Sequence, residues 1–276
     1  MRKTLSDIGS MKARGEKITM LTAYDASMSR LLSACDVDML LVGDSLGMVM
    51  LGYDSTVPVT MDEMLHHAKA VRRGAPDSFI VGDMPFGTYQ TGTRYAINNA
   101  IRFLKEADCD AIKLEGGLNM CVIVKALVEA GIPVMAHIGL TPQTASQLGG
   151  YKVQGKGIEA ARRILAEAKG LEEAGAFSII LECVPDKLAK VISASVAMPT
   201  VGIGAGAHCD GQVLVTHDLL GMFDKFTPKF VKKFADLSPI IKESIHNYEK
   251  EVKGGTYPAP EHTFSSDTNY DVLIED

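Results

Sequence analysis

The chain has 276 residues, of which 46% are hydrophobic, and 28 Lys and Arg against 34 Asp and Glu give a formal charge of -6. This length and hydrophobic content allow a large buried core. The acidic balance argues against a nucleic-acid partner, and no apolar stretch is long enough to span a bilayer. Because the N-terminal residues lack the apolar core of a signal peptide, we expect a cytoplasmic protein.

Eight short apolar runs alternate with longer segments of helical periodicity. Such runs are typical of strands buried on both faces of a parallel sheet. We predict strands at 18–23, 39–42, 79–81, 111–114, 133–136, 178–181, 200–203 and, in the least apolar run, 212–215.

The segments between the strands carry helix signals. Thr60 and Glu63 have the spacing of a capping box, and Ile97, Ile101 and Leu104 fall on one helical face. Strands and helices alternating in this way predict either a closed (β/α)8 TIM barrel or an open, doubly wound sheet. The count favours the barrel, and no G-x-G-x-x-G turn follows the first run, as a dinucleotide-binding sheet would require.

The end of the chain differs from the rest. Apolar residues at helical spacing predict an additional C-terminal helix over 229–253, and the polar, Pro-bearing residues that follow predict an extended tail. We therefore predict one catalytic barrel domain over 1–254 and a tail over 255–276. The five cysteines contain no C-x-x-C pair, so we expect reduced thiols.

Charged and polar residues close most of the predicted strands. In a (β/α)8 barrel the active site lies at the carboxyl ends of the strands, so these side chains are candidates for it. Any one of the acids, or Ser45, could instead cap the helix that follows. The candidates are Asp44, Ser45, Asp83, Lys113, Glu115, His137 and Glu182.

Three of the acids suggest a metal site. Asp44, Asp83 and Glu115 follow successive strands, which lie about 4.8 Å apart in a sheet, so their carboxylates can converge. Converging anions repel each other unless a cation lies among them. Oxygen ligands without clustered His or Cys favour Mg²⁺, with Mn²⁺ or another divalent ion as the alternative.

Three further candidates are open to two interpretations each. Lys113 points to the interior with Glu115, where it would bind a substrate anion or form an ion pair with Glu115. Glu182 lies across the ring from the acids, where a general base belongs, or it pairs with a nearby lysine. His137 is either a donor to substrate or a structural histidine.

Long motifs resemble one known family over nearly the whole chain. They include 21–25 (LTAYD), 41–48 (LVGDSLGM), 54–60 (DSTVPVT), 113–117 (KLEGG), 139–143 (GLTPQ), 202–206 (GIGAG) and 257–263 (YPAPEHT). On these motifs the chain resembles the ketopantoate hydroxymethyltransferase family. It departs from the pattern at 207–209, where an Asn-containing turn is more usual, and at 265–276, which extends beyond the shared ending.

The resemblance implies a function. The family transfers a one-carbon unit from 5,10-methylenetetrahydrofolate to 3-methyl-2-oxobutanoate, yielding 2-dehydropantoate for pantothenate synthesis, and it is typically a homodecamer with one Mg²⁺ per subunit. Its metal ligands fall on Asp44, Asp83 and Glu115, and its proton acceptor falls on Glu182. Its substrate contacts and active-site histidine fall on Asp44, Ser45, Asp83, Lys113 and His137.

Two other functions compete with this one. A carbon-carbon lyase of the isocitrate lyase or phosphonopyruvate type would also bind Mg²⁺ and stabilise enolates, but the K-K-C-G-H loop of such lyases is absent from the sequence. A catalytically inactive barrel should lack at least one of the convergent acids or the base, and all of them are present.

Overall fold

Eight parallel strands close into a barrel in the order of the chain. In the computed structural model, which describes residues 2–223 and 226–274, the strands are β1 (Ile18–Thr22), β2 (Met39–Val42), β3 (Phe79–Asp83), β4 (Ala111–Glu115), β5 (Val134–Gly139), β6 (Ser178–Glu182), β7 (Thr200–Ile203) and β8 (Gly211–Leu214). The predicted (β/α)8 barrel is confirmed.

Ten helices accompany the strands in the described chain. They are α1 (Leu5–Arg14), α2 (Ala26–Ala34), α3 (Leu46–Val49), α4 (Met61–Gly74), α5 (Thr93–Ala107), α6 (Cys121–Glu129), α7 (Ile158–Glu173), α8 (Asp186–Ser195), α9 (Thr216–Leu219) and α10 (Leu237–Lys253). The capping box predicted from Thr60 is present at the start of α4, where Thr60 Oγ1 accepts from the backbone N–H of Glu63. No helix in the described residues is both long and apolar enough to cross a membrane.

Each strand sorts its side chains into two layers, since successive residues of a strand point to opposite faces. One layer fills the barrel interior with Met20, Leu41, Val81, Met135 and residues at equivalent positions. The other packs against the surrounding helices. Both faces are apolar, which is why the strands read as continuous apolar runs in the sequence.

The alternation of strand and helix fails once. Strands β7 and β8 are joined by the described residues 204–210, which form a loop without a helix. Seven residues are too few for a helical crossover between parallel strands, which needs about a dozen or more. The short α9 follows β8, so the outer helical layer is thin at this side of the barrel.

The predicted C-terminal helix begins later than its apolar spacing suggested. The sequence predicted a helix from residue 229, whereas α10 begins at Leu237. Pro239 explains the difference. A proline is tolerated in the first turn of a helix, but in the interior it removes a backbone hydrogen bond and its ring clashes with the carbonyl of the preceding turn. Within the described chain no residue of α10 is buried.

Over the described residues 254–274, the tail after α10 is almost entirely exposed and contains two short 3₁₀ turns, at Pro260–His262 and Asp271–Leu273. Its separation from the barrel domain at residue 254 stays a prediction. Among the described residues all five cysteines are free.

Gly82 on β3 sets how closely α5 packs on the barrel. A Cβ at this position would overlap the ring of Phe103, which is fully buried. We expect Gly82→Ala to destabilise the protein by about 1–3 kcal/mol through overpacking, measured as the shift of the urea unfolding curve. Gly9→Ala is the matched control, because a Cβ there meets no heavy atom within 4 Å and alanine favours a helix by about 0.5–1 kcal/mol. Equal stability of the two variants would contradict this packing argument.

Candidate active site

The candidate residues meet at one end of the barrel because of strand parity and register. Asp83, Glu115 and Glu182 are the last residues of β3, β4 and β6. In the parallel pairing Asp83 lies opposite Lys113, and Glu115 lies opposite His137. All five continue the layer of side chains that fills the barrel interior, so they face one another above that core.

Asp44 and Ser45 reach the site from the turn after β2. The backbone N–H of Asp44 donates to Asp83 Oδ2 at 3.2 Å, and the Asp44 side chain is buried beside it. The Ser45 hydroxyl lies 2.8 Å from the hydroxyl of the buried Tyr24. The sequence-predicted neighbours Asp44, Ser45 and Asp83 are therefore brought together.

Lys113 contacts two of the acids. Its Nζ lies 2.7 Å from Asp83 Oδ1 and 3.7 Å from Glu115 Oε1, so the nearer partner is Asp83 and not Glu115, the partner considered from the sequence. Burial alone would lower the pKa of Lys113, but the carboxylates of Asp83 and Glu115 outweigh it and raise that pKa. Lys113 therefore supplies a fixed positive charge in the cluster.

Glu182 lies further round the ring, and His137 lies between it and the acids, with Nδ1 3.5 Å from Glu115 Oε1 and 3.4 Å from Lys113 Nζ. His137 Nε2 lies 3.2 Å from Glu182 Oε2 but makes no hydrogen bond of good geometry with any described residue. Burial, followed by the charge of Lys113, lowers the pKa of His137 well below its usual range, so its ring is neutral. Burial raises the pKa of Glu182 to about 8. A carboxylate with a pKa near neutrality suits proton abstraction.

Gly139, the last residue of β5, allows Glu182 its position. Its φ of +95° lies in the left-handed region, and a Cβ there would collide with the backbone carbonyl of Glu182. In the parallel register Gly139 lies opposite Glu182. Only glycine combines this φ with so close an approach of the neighbouring strand.

Two buried residues of the site were not singled out by the sequence reasoning. Gln143 lies in the 3₁₀ turn Pro142–Thr144 after β5, and its side-chain amide donates to Asp44 Oδ2 at 2.9 Å. Tyr89, in the loop between β3 and α5, donates its hydroxyl to Gln143 Oε1 at 2.6 Å. The only sequence signal for Gln143 was its place at the end of the 139–143 motif, and Tyr89 had none.

The acids fit a hard divalent cation in their chemistry. The described residues hold no group of three or more His, Cys, Asp or Glu side chains already set at metal-binding distances. Yet Asp83 Oδ1 is buried and, apart from its ion pair with Lys113, receives no hydrogen bond of good geometry from the described residues. Burial raises the pKa of both Asp83 and Glu115 against the effect of Lys113. A bound cation would balance the negative charge of these buried carboxylates.

Solved structures share this fold at low sequence identity. A phosphoenolpyruvate phosphomutase from Streptomyces platensis subsp. rosaceus aligns with a TM-score of 0.62 and 15% identity over 99% of this chain and 96% of its own. A 2,3-dimethylmalate lyase of the PEP mutase/isocitrate lyase superfamily aligns with a TM-score of 0.59 and 14% identity over 99% and 94%. These likenesses concern the fold alone.

The sequence comparisons reach further. The family model described as ketopantoate hydroxymethyltransferase matches residues 2–260. A 3-methyl-2-oxobutanoate hydroxymethyltransferase from Desulfotalea psychrophila is 64% identical over 99% of this chain and 98% of its own length, and one from Syntrophus aciditrophicus is 58% identical over 95% and 96%. The resemblance noted in the sequence is confirmed. The chain is a transferase enzyme and belongs to the ketopantoate hydroxymethyltransferase family.

Proposed function

We propose that the protein transfers a hydroxymethyl group from 5,10-methylenetetrahydrofolate to 3-methyl-2-oxobutanoate, giving 2-dehydropantoate. The names of its relatives support this substrate and product. The structural observation that carries the proposal is the placement of Glu182, a carboxylate that is 14% exposed and has a pKa of about 8, at the same end of the barrel as the acids and Lys113. Proton abstraction next to a carbonyl needs a base within reach of the proton and positive or donor groups near the oxygen that gains negative charge.

The keto acid brings a carboxylate and a keto oxygen into this cluster. Lys113 is the positive charge that attracts these oxygens, with Asp44, Ser45 and Asp83 around it. His137 Nε2, which has no hydrogen bond of good geometry with a described residue, offers a neutral donor to the substrate when that nitrogen carries the proton.

Asp44, Asp83 and Glu115 would hold one Mg²⁺. When bound, the ion would withdraw electron density from the keto acid and favour loss of its C3 proton. Lys113 offsets charge in the same cluster through its contacts with Asp83 and Glu115. The three carboxylates would supply oxygen ligands, which magnesium prefers.

Glu182 then accepts the C3 proton, and the electron pair left at C3 forms an enolate. Water adds to the methylene carbon of the folate iminium, a proton passes from the added water to the folate nitrogen, and the carbon-nitrogen bond breaks to give formaldehyde. The enolate carbon attacks formaldehyde to form the new carbon-carbon bond, and the new alkoxide takes the proton held by Glu182. The apolar neighbours of Glu182 on β6 are buried, while the Glu182 side chain is 14% exposed.

We also propose a cytoplasmic homo-oligomer, with a decamer expected from the resemblance. The exposed apolar side of α10 supports association, because it carries Ile241, Ile245, Tyr248 and Val252 at helical spacing with none of them buried in the described chain. The fold likeness to lyases does not favour the lyase alternative, since it extends to 14% identity only.

Glu182→Gln should abolish solvent exchange of the substrate C3 proton. In D₂O with Mg²⁺ and without folate, we expect the wild-type protein to remove the C3 proton signal of 3-methyl-2-oxobutanoate in ¹H NMR spectra, because Glu182 reversibly accepts that proton. The amide of glutamine cannot act as this base, and general-base removal costs about 10²–10⁴ in rate. Glu173→Gln, on the exposed outside of α7, is the control and should exchange like wild type. Undiminished exchange in Glu182→Gln would remove Glu182 as the base.

Removal of divalent ions should stop the same exchange. After treatment with EDTA and dialysis, we expect no loss of the C3 signal until Mg²⁺ is added, and Asp83→Asn should need far more Mg²⁺ than wild type because it loses a ligand charge. Asp62→Asn is the control, since its side chain is 84% exposed on the outside of the barrel. Full exchange in the metal-free protein would contradict the proposed cation.

Charges on the apolar side of α10 should reduce the molar mass in solution. We expect the double substitution of Ile241→Lys and Ile245→Lys to yield smaller assemblies in light scattering coupled to size exclusion, because lysines are costly to bury. Glu243→Lys, on the opposite side of the helix, should leave the mass unchanged. A wild-type monomer would contradict the oligomer.

A further inference from the structure

Gln143 connects two of the proposed metal ligands. It is 3% exposed, and its backbone N–H donates to Glu115 Oε2 at 3.1 Å while its side-chain Nε2 donates to Asp44 Oδ2 at 2.9 Å. Asp44 follows β2, Glu115 ends β4 and Gln143 follows β5. One residue therefore holds carboxylates from two separate strands through two of its own donors.

The orientation of the Gln143 amide is fixed by its partners. Nε2 also donates to the backbone carbonyl of Met84 at 2.9 Å, and Oε1 accepts from the Tyr89 hydroxyl at 2.6 Å. If the amide were turned over, its oxygen would face two acceptors, the Asp44 carboxylate and the Met84 carbonyl. The amide thus presents a donor to Asp44 in a single orientation.

Tyr89 completes the arrangement. Its side chain is 1% exposed, and its hydroxyl accepts from the backbone N–H of Glu115 at 3.2 Å while it donates to Gln143. Both roles of the hydroxyl are satisfied in this way, so the tyrosine braces Gln143 against β4. Buried polar networks that are fully satisfied hold their members rigidly.

We propose that Gln143, braced by Tyr89, is a positioning residue that sets the Asp44 and Glu115 carboxylates for the divalent cation. The inference rests on the metal site of the proposed function. A glutamine suits the task because it donates a hydrogen bond to Asp44 without adding a charge, whereas a carboxylate there would add to the repulsion among the acids. Partners that orient metal ligands change metal affinity by about 10–100-fold when they are removed.

The test is the affinity of the metal-free protein for Mn²⁺ or Mg²⁺ alone, by calorimetry and by the EPR signal of free Mn²⁺. We expect Gln143→Met, which keeps the side-chain length but donates nothing, to weaken binding by about 10–100-fold. Tyr89→Phe keeps the ring and should weaken it less. The double variant should bind like Gln143→Met alone, because Tyr89 acts through Gln143 and the two effects are not additive.

Gln212→Met is the matched control, since Gln212 is an exposed residue of β8 whose amide donates to the Gly206 carbonyl away from the acids. Its metal affinity should equal that of wild type.

In the exchange assay, Gln143→Met should need more Mg²⁺ for half-maximal rate and regain most of the wild-type rate at saturating Mg²⁺. Thermal unfolding shows which variants are folded. If Gln143→Met is unfolded, the affinity of Tyr89→Phe is the test.

The outcomes separate this inference from the function beneath it. Wild-type affinity in folded Gln143→Met, or in Tyr89→Phe where only that variant folds, would overturn the positioning role and leave the metal site standing. Failure of the wild-type protein itself to bind either ion would overturn the metal site and the positioning role together. Weakened binding in both variants with an unchanged control supports the role.

Discussion

The site depends on burying several carboxylates together with one lysine at the end of a closed barrel. Lys113 contacts Asp83 and Glu115, and neither its charge nor its hydrogen bonds neutralise the whole cluster. Burial of unpaired charge is unfavourable in any protein interior. The arrangement persists because the barrel core below it and the packed helices around it stabilise the fold independently of these side chains. The unfavourable charge is thereby kept in place for a ligand to balance.

In the closed barrel, the position of a residue along its strand decides whether its side chain faces the interior or the helices. Because all eight strands are parallel and in sequence order, every strand delivers its last interior-facing residue to the same end. The register then decides which residues become neighbours, placing Lys113 opposite Asp83 and His137 opposite Glu115. Glu182 lies further round the ring, opposite Gly139, whose missing side chain leaves room for it. A shift of one residue in any of these strands would turn its functional side chain toward the helices.

Much of this could be predicted from the sequence, because buried parallel strands leave an apolar signature and polar residues at their ends break it. All eight strands follow from that pattern, and so does the approach of Asp44 to Asp83. The predicted start of α10 was wrong. The apolar spacing begins at residues before Leu237, but Pro239 is tolerated only in the first turn of a helix, so the helix begins at Leu237. Gln143 was missed because a buried amide in a turn looks, in a sequence, like any polar loop residue. Its partners lie 99 and 28 residues away along the chain.

The cost of this burial favours an enzyme over an inactive scaffold, in agreement with the family to which the chain belongs. A barrel that only binds partners through its surface gains nothing from acids, a lysine and a histidine facing one another inside it, and apolar residues of similar volume are often as stabilising as a buried ion pair, or more so. The fold does not select the reaction either, because mutases and lyases share it at 14–15% identity. The residues placed on this common frame are a carboxylate of raised pKa at Glu182, a neutral His137 between it and Glu115, and Asp83 with Lys113 further round the ring. The reaction that such a barrel carries out depends on these residues and not on the barrel itself.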